Sequence, residues 1–332
     1  MGRMSAPADG RDEDGIIDSS PMSPVDEWGN PIPVTIPIAL SAGVRVVYTT
    51  RLGGVSEGDY ADCNFGAHGG EDLMKVTANR MALSRTIGAP ITLVSQVHSA
   101  VAVDADASAS RESDSGRDLV DGDGQVLRAD GLVSSAARLA LGVFAADCMP
   151  VMLCDADAGV IAAAHCGRRG LMRGILRSTV DLMVSRGATP QGIVATLGPR
   201  ICGDCYEVGG TIADGFDARF PGTYTVTRFG GPGIDLAAAA LQELAAGGIP
   251  RDNVIDSRPR VAAATQYLDR DEELARLCRE DGEGDVDLAV RIESIRHSMC
   301  TLENPLWYSH RRAFLAGKAH EGRMLALILR EV

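Results

Sequence analysis

A mixed α+β fold is what this sequence predicts, and three observations carry the prediction. Residues 139–170 hold three apolar runs broken by short polar turns, the pattern of buried strands. Shorter segments at 44–48, 91–98, 129–134 and 193–198 also have strand character. Between them, apolar residues recur at helical spacing over 71–87, 171–183 and 236–246.

Residues 1–35 are rich in Gly, Ser, Pro, Asp and Met without periodicity, which predicts a disordered tail ahead of a domain spanning 36–332. The strand at 44–48 leads into Thr49-Thr50-Arg51-Leu52-Gly53-Gly54, where the glycines allow a tight turn beside an arginine. Taken alone, Arg51 reads as a surface ion pair. The helix over 71–87 stops at Gly88 and Pro90. The strand over 91–98 ends in the polar residues Gln96 and His98. From 104 to 124 the chain has hardly any large apolar residue, so a solvated insertion without chemistry is expected.

At 139–170 a polar pair, Asp147-Cys148, interrupts segments that should not bury polar groups without a use. A hairpin with a five-residue turn at 155–159 that pairs Cys154 with Val160 sets Cys148 opposite Cys166, and a bulge at Gly159 shifts that partner to His165. Both registers bring thiol and imidazole together. Arg168 and Arg169 follow, where an amphipathic helix begins.

Cys202 and Cys205 have CxxC spacing, but no second such pair exists and the segment reads as extended. Structural thiols are therefore expected there, not a zinc ribbon. Asp235 suits an N-cap for the helix over 236–246. The acidic stretch at 269–287 reads as a second solvated insertion, in part helical.

The 332 residues are 45% apolar and only 4% aromatic, so Ala, Val and Leu must build most of a substantial core. A net charge of −13 argues against nucleic-acid binding and requires a local basic pocket for any anionic substrate. No apolar run approaches the roughly 18 to 20 residues of a membrane span, and no signal peptide is evident. The cytoplasm is the expected compartment. Eight scattered cysteines read as thiols or ligands, not as a disulfide framework.

Eight motifs then occur in order: Thr50-Arg51-x-Gly53-Gly54-x-Ser56, Gln96-Val97-His98, Ala146-Asp147-Cys148-x-Pro150, His165-x-Gly167-x-Arg169-Gly170, Gly198-Pro199-x-Ile201, Cys205-Tyr206-Glu207-Val208, Ser309-His310-Arg311-Arg312 and Gly322-Arg323-Met324. Together they resemble the laccase-domain family, first labelled multicopper polyphenol oxidoreductases and now regarded as purine nucleoside phosphorylases. The resemblance covers roughly residues 40 to 330. It implies a single αβ domain with β-sheets sandwiched between helices. It also implies one zinc per chain on His98, Cys148 and His165, and phosphorolysis of adenosine, inosine, guanosine or methylthioadenosine, with adenosine deamination. Two positions depart from the family's pattern: Arg168 stands where the family has tryptophan, and Cys166 where it has alanine.

Two imidazoles and a thiolate suit zinc on their own chemistry, and three protein ligands leave a fourth position open, as at catalytic sites. Asp147 joins the trio as a candidate catalytic residue. Inorganic phosphate, the expected co-substrate, needs fixed cations, and arginine's planar fork suits it. Arg51 and Arg311 are the first candidates, with Arg323 and Arg169 behind them and Gln96 as a further substrate contact.

A cysteine hydrolase built on Cys148 and His165, with Asp147 or Asp130 as the third group, is the alternative enzyme. A non-catalytic accessory role in the cell envelope or division would leave Gln96, Arg51 and Arg311 without a task. A copper laccase is least favoured, because six histidines at 68, 98, 165, 297, 310 and 320 contain no His-x-His pair.

Overall fold

The computed structural model describes Gly29 and residues 31–281 and 287–331. Most of the tail expected over 1–35 lies outside the described residues, and Thr35 already opens a strand. The strands in chain order are β1 (Thr35–Ser41), β2 (Val44–Thr49), β3 (Ile91–Leu93), β4 (Ala102–Asp104), β5 (Ser110–Ser113), β6 (Gly116–Leu119), β7 (Gly131–Ser134), β8 (Ala140–Ala145), β9 (Met149–Asp155), β10 (Val160–Cys166), β11 (Val194–Leu197), β12 (Tyr224–Val226), β13 (Pro232–Ile234), β14 (Val254–Ile255) and β15 (Met324–Arg330). The helices are α1 (Leu73–Ile87), α2 (Arg168–Arg173), α3 (Ile175–Ser185), α4 (Gly210–Arg219), α5 (Leu236–Ala246), α6 (Arg258–Tyr267), α7 (Glu272–Asp281), α8 (Leu288–Glu293) and α9 (His310–Leu315).

Two mixed sheets form the centre, one in the order β1-β2-β15-β8-β3-β6-β5 and the other in the order β14-β11-β9-β10-β7-β4. Between them lies one core: Val46, Leu141, Val143 and Ile328 from the first sheet meet Met152, Cys154, Ile161 and Ala163 from the second. Alternate residues of the same strands point outward. Val151, Leu153, Ala162 and Ala164 pack under α3 and α5, while Leu325, Leu327 and Ile91 pack under α1. The layers are therefore helix, sheet, sheet, helix, as the sandwiched arrangement requires. Burial on both faces explains why β9 and β10 read as unbroken apolar runs.

Several expectations need correction. Residues 104–124 are not a bare loop, because β5 and β6 form a hairpin and β6 pairs with β3 at the edge of the first sheet. Its polar composition suits an edge, and Leu119 still reaches the core. Residues 269–287 hold α7, which buries Leu274, Leu277 and Cys278; residues 282–286 of that stretch lie outside the described residues. The strand expected over 91–98 ends at Leu93.

The β9–β10 register is one residue away from the first sequence register, because Asp155 pairs with Val160 and the turn holds only residues 156–159. Cys166 thus faces Met149, and His165 faces Pro150. The helix after His165 is interrupted at Gly174, whose φ of 86° places it in the left-handed region between α2 and α3.

Candidate active site and metal centre

Strand β8 belongs to the first sheet and β9 to the second, so the chain crosses between sheets at Ala146-Asp147-Cys148. The crossing puts Asp147 at φ 91°, a conformation that L-residues adopt only when surroundings enforce it. Three contacts do so. Its carbonyl accepts from Ile201 N at 3.0 Å, its Oδ1 from Thr301 Oγ1 at 2.6 Å and its Oδ2 from Arg311 N at 2.7 Å. Asp147 therefore anchors the crossover and positions Arg311, and that anchoring is the role its contacts support in place of the catalytic one expected.

The crossover leaves Cys148 between two imidazoles. His165 arrives at the end of β10, beside β7, and the loop after β3 delivers His98 at φ 58°. One side-chain nitrogen or sulfur from each residue lies within 4.8 Å of the others. Cys148 Sγ is 3.6 Å from His98 Nε2, and the imidazole rings meet edge to face at 4.9 Å.

Asp130, just before β7, organises both histidines. Its Oδ1 is 2.8 Å from His165 Nδ1 and accepts the His98 N–H at 3.0 Å, while Oδ2 accepts from Ser99 N at 2.6 Å and Ser99 Oγ at 2.7 Å. Burial opposes charge on all three groups, yet their mutual attraction prevails. The Cys148 thiol, raised by burial, is brought down to about 6 by His165 and His98. His165, lowered by burial, is lifted to about 9 by Cys148 and Asp130. Asp130 is held at about 2 by His165 and Ser99 against its own desolvation.

This donor set fits a metal ion. A carboxylate on His165 Nδ1 leaves Nε2 as the coordinating nitrogen, the usual second layer of a histidine ligand. Gly167 supplies a second sign: a Cβ there would lie 2.7 Å from Cys148 Sγ and 2.9 Å from His98 Cδ2, so only glycine leaves the space between the ligands open.

The trio lies in the wall of a cavity of about 700 Å³. Of the expected residues, Gln96, Asp147, Arg169, Arg311 and Arg323 share that wall. Arg51 does not. Its guanidinium is buried and bonds Asp281 Oδ2 at 2.6 Å, so the phosphate role assigned to it is corrected to an internal ion pair. Gln96 clamps the Phe144 backbone, donating Nε2–H to its carbonyl at 2.9 Å and accepting its N–H at 2.6 Å. Those bonds fix its amide against β8 while the side chain still lines the cavity. Arg311 donates Nη2–H to the Glu207 carbonyl at 2.7 Å and lies over the Tyr206 ring.

Sequence reasoning passed over three groups. Arg168 lines the cavity, and neither it nor Arg169 forms an ion pair among the described residues. Tyr206 and Phe144 add aromatic surface. Away from this cavity, Cys202 and Cys205 meet Cys300 and Glu303, a cluster invisible in a chain where the partners lie about a hundred positions apart. The Cys202–Cys205 segment is also a turn, not extended, since Cys205 N and Tyr206 N both donate to the Cys202 carbonyl.

Residues 45–269 match the family model described as multi-copper polyphenol oxidoreductase laccase, which is more than half of the chain. The chain belongs to that family. This laccase-family chain is 38% identical over 234 residues to a purine nucleoside phosphorylase of Mycobacterium tuberculosis, covering 70% of this chain and 88% of the relative. It is 33% identical over 224 residues to an adenosine deaminase from an unknown prokaryotic organism, covering 65% and 83%. Among solved structures, a Neisseria meningitidis protein superposes with a TM-score of 0.64 at 28% identity, over 90% of this chain and 99% of that one. YlmD of Geobacillus stearothermophilus gives 0.65 at 26% identity, over 89% and 94%.

A trinuclear copper cluster lacks its histidines among the described residues, because only His98 and His165 converge and their third partner is a thiol. No helix among the described residues is long and apolar enough to cross a membrane.

Proposed function

We propose that this chain is a zinc-dependent purine nucleoside phosphorylase, cleaving adenosine, inosine, guanosine or methylthioadenosine to the free base and ribose 1-phosphate, with adenosine deamination as a side activity. One observation carries the reading: a His98, Cys148, His165 centre opens into a cavity whose wall holds Arg168, Arg169, Arg311 and Arg323 in a protein of net charge −13. The names of the relatives support it.

His98, Cys148 and His165 would hold the zinc, which supplies Lewis acidity toward an oxygen or nitrogen of the nucleoside. Asp130 keeps His165 in the coordinating tautomer. Arg168 and Arg169 have no acidic partner among the described residues, so they and Arg311 are the cations offered to phosphate. Tyr206 and Phe144 provide faces for the purine. Phosphorolysis forms a phosphate-oxygen bond to the anomeric carbon as the bond to the purine nitrogen breaks, and the base leaves with that electron pair.

The test measures purine release from adenosine, inosine and methylthioadenosine across a phosphate titration. Release should require phosphate and disappear, with the zinc, in His98→Ala, Cys148→Ala and His165→Ala. Arg169→Ala and Arg311→Ala should weaken apparent phosphate affinity about tenfold to a hundredfold, as expected for a lost charge-assisted contact of about 1.5 to 3 kcal/mol. Full base release without phosphate would sink the phosphorylase reading.

A second reading has its own observation. Cys148 held at about 6, His165 at about 9 and Asp130 on His165 Nδ1 form a thiolate, imidazolium and carboxylate chain suited to nucleophilic catalysis. A cysteine hydrolase predicts activity that survives chelation and is lost to iodoacetamide, the reverse of what the zinc enzyme predicts for the chelator.

A further inference from the structure

We infer that Cys202, Cys205, Cys300 and Glu303 form a second metal site, which takes a thiophilic divalent ion such as zinc and clamps the loops behind the first. The three sulfurs and a Glu303 oxygen all lie within 4.8 Å of one another, the spread of ligands around a single ion. None of the three cysteines is in a disulfide.

The local backbone is built for such a set. Cys202 to Cys205 is a hydrogen-bonded turn, which brings two sulfurs separated by two residues to one side, and CxxC spacing suits a pair of zinc ligands. Cys300 comes from the distant 296–304 segment, tied to the turn by the Cys202 N–H, which reaches Cys300 Sγ at 3.4 Å. Such N–H contacts favour a thiolate over a thiol.

Glu303 is the fourth member, and it is oriented. Its Oε2 accepts the backbone N–H groups of Arg296 and His297, both at 2.9 Å. That leaves Oε1 facing the sulfurs, 3.4 Å from Cys205 Sγ and 3.8 Å from Cys202 Sγ. A carboxylate buried among three thiols is costly without cations, and a metal ion would join Arg228 in offsetting its charge. Arg228 Nη1, 3.6 Å from Oε1, offsets part of the charge that three thiolates and a carboxylate carry beyond a divalent ion. Three sulfurs and one oxygen match a closed, four-coordinate structural site, in contrast to the open trio of the first centre.

The position gives the site its role. Ile201, next to Cys202, donates to the Asp147 carbonyl, and Thr301, next to Cys300, donates to Asp147 Oδ1. Glu207, two residues past Cys205, accepts from Arg311. An ion joining Cys202, Cys205 and Cys300 therefore fixes both segments that hold Asp147 and Arg311, without touching substrate.

The experiment is elemental analysis of the full chain, purified anaerobically without chelator, with a native thiol count. Wild type should carry two zinc per chain. His98→Ala with His165→Ala should keep one, and Cys202→Ser with Cys300→Ser should lose that one and melt at a lower temperature. Should the serine variant not fold, cobalt added to the His98→Ala, His165→Ala protein decides the matter. Only Cys148 remains as a thiolate at the first centre, so an intense sulfur-to-cobalt charge-transfer band of three-thiolate strength supports the second. Absence of that band, or a folded His98→Ala, His165→Ala protein free of zinc, would overturn the inference, as would a Cys202–Cys205 disulfide in wild type. One zinc in wild type that survives His98→Ala with His165→Ala would uphold this site while removing the metal from the proposed active centre.

Discussion

At the scale of single residues, Gly167 governs whether the first centre can hold an ion. A methyl group there would lie 2.7 Å from Cys148 Sγ, and the glycine is pinned between β10 and α2, so neither side can retreat far. Gly167→Ala should lower zinc affinity at least tenfold by competitive chelator titration and, because the clash exists without the ion, lower the melting temperature of the metal-free protein as well. An unchanged affinity would mean that the ligands do not converge on that space. Asp130→Asn acts from the other side of the centre: losing the carboxylate on His165 Nδ1 should cost about tenfold to a hundredfold in metal affinity or activity. The two variants separate steric from electronic support of the same three ligands.

At the scale of elements, α7 shows how composition misleads. Its acidic sequence reads as solvated, yet it ends in Asp281, which meets Arg51 at 2.6 Å, Lys318 at 2.7 Å and Arg312 at 3.6 Å in the interior. Burial would raise the Asp281 carboxyl, but Arg51 and Arg312 hold it well below the usual carboxylate range. A depressed folded pKa contributes stability that is fully present above the unfolded value of about 3.9 and is lost progressively as pH falls from there through the folded value. Asp281→Asn should therefore cost about 3 to 5 kcal/mol at neutral pH, and the gap to wild type should narrow without closing by pH 3, where the folded carboxylate is still ionised; urea melts at pH 7 and pH 3 measure both.

The same contrast explains what could be read in advance. Strands β9 and β10 were legible because burial on both faces writes them as apolar runs, and α1 because its apolar residues recur at helical spacing and Gly88 marks its end. The hairpin register was not, since a turn of four residues and one of five differ by a single pairing that composition does not encode. Nor was the division of β8 and β9 between two sheets. Cys148 and His165 stood out as polar residues ending apolar segments and His98 joined them through the family resemblance, whereas Arg51 looked like a site residue from its glycine-flanked motif because its partner lies 230 positions away.

At the scale of the whole molecule, both sheets share one interior, so the centre they support should not outlast either. Leu141, Val143 and Ile328 of the first sheet and Met152 and Ile161 of the second belong to a single buried cluster, together with Trp307 at 0% exposure. Among the described residues that cluster runs without interruption from one sheet to the other. The proposed metal ligands come from the ends of strands in this stack: Cys148 from the crossover between sheets, His165 from β10, and His98 from the loop after β3. Separating the sheets moves Cys148 away from β3, and the site is dismantled. Thermal or urea unfolding should therefore be one cooperative transition in which far-UV circular dichroism, Trp307 fluorescence in a Trp28→Phe background and zinc release to a chelating dye coincide. Ile161→Ala, which empties space in the middle of the shared core, should shift all three together by about 2 to 5 kcal/mol while leaving the zinc content of the folded protein intact. Zinc release well ahead of the fluorescence change would show instead that the crossover opens on its own, and the shared core would then not be what holds the ligands in place.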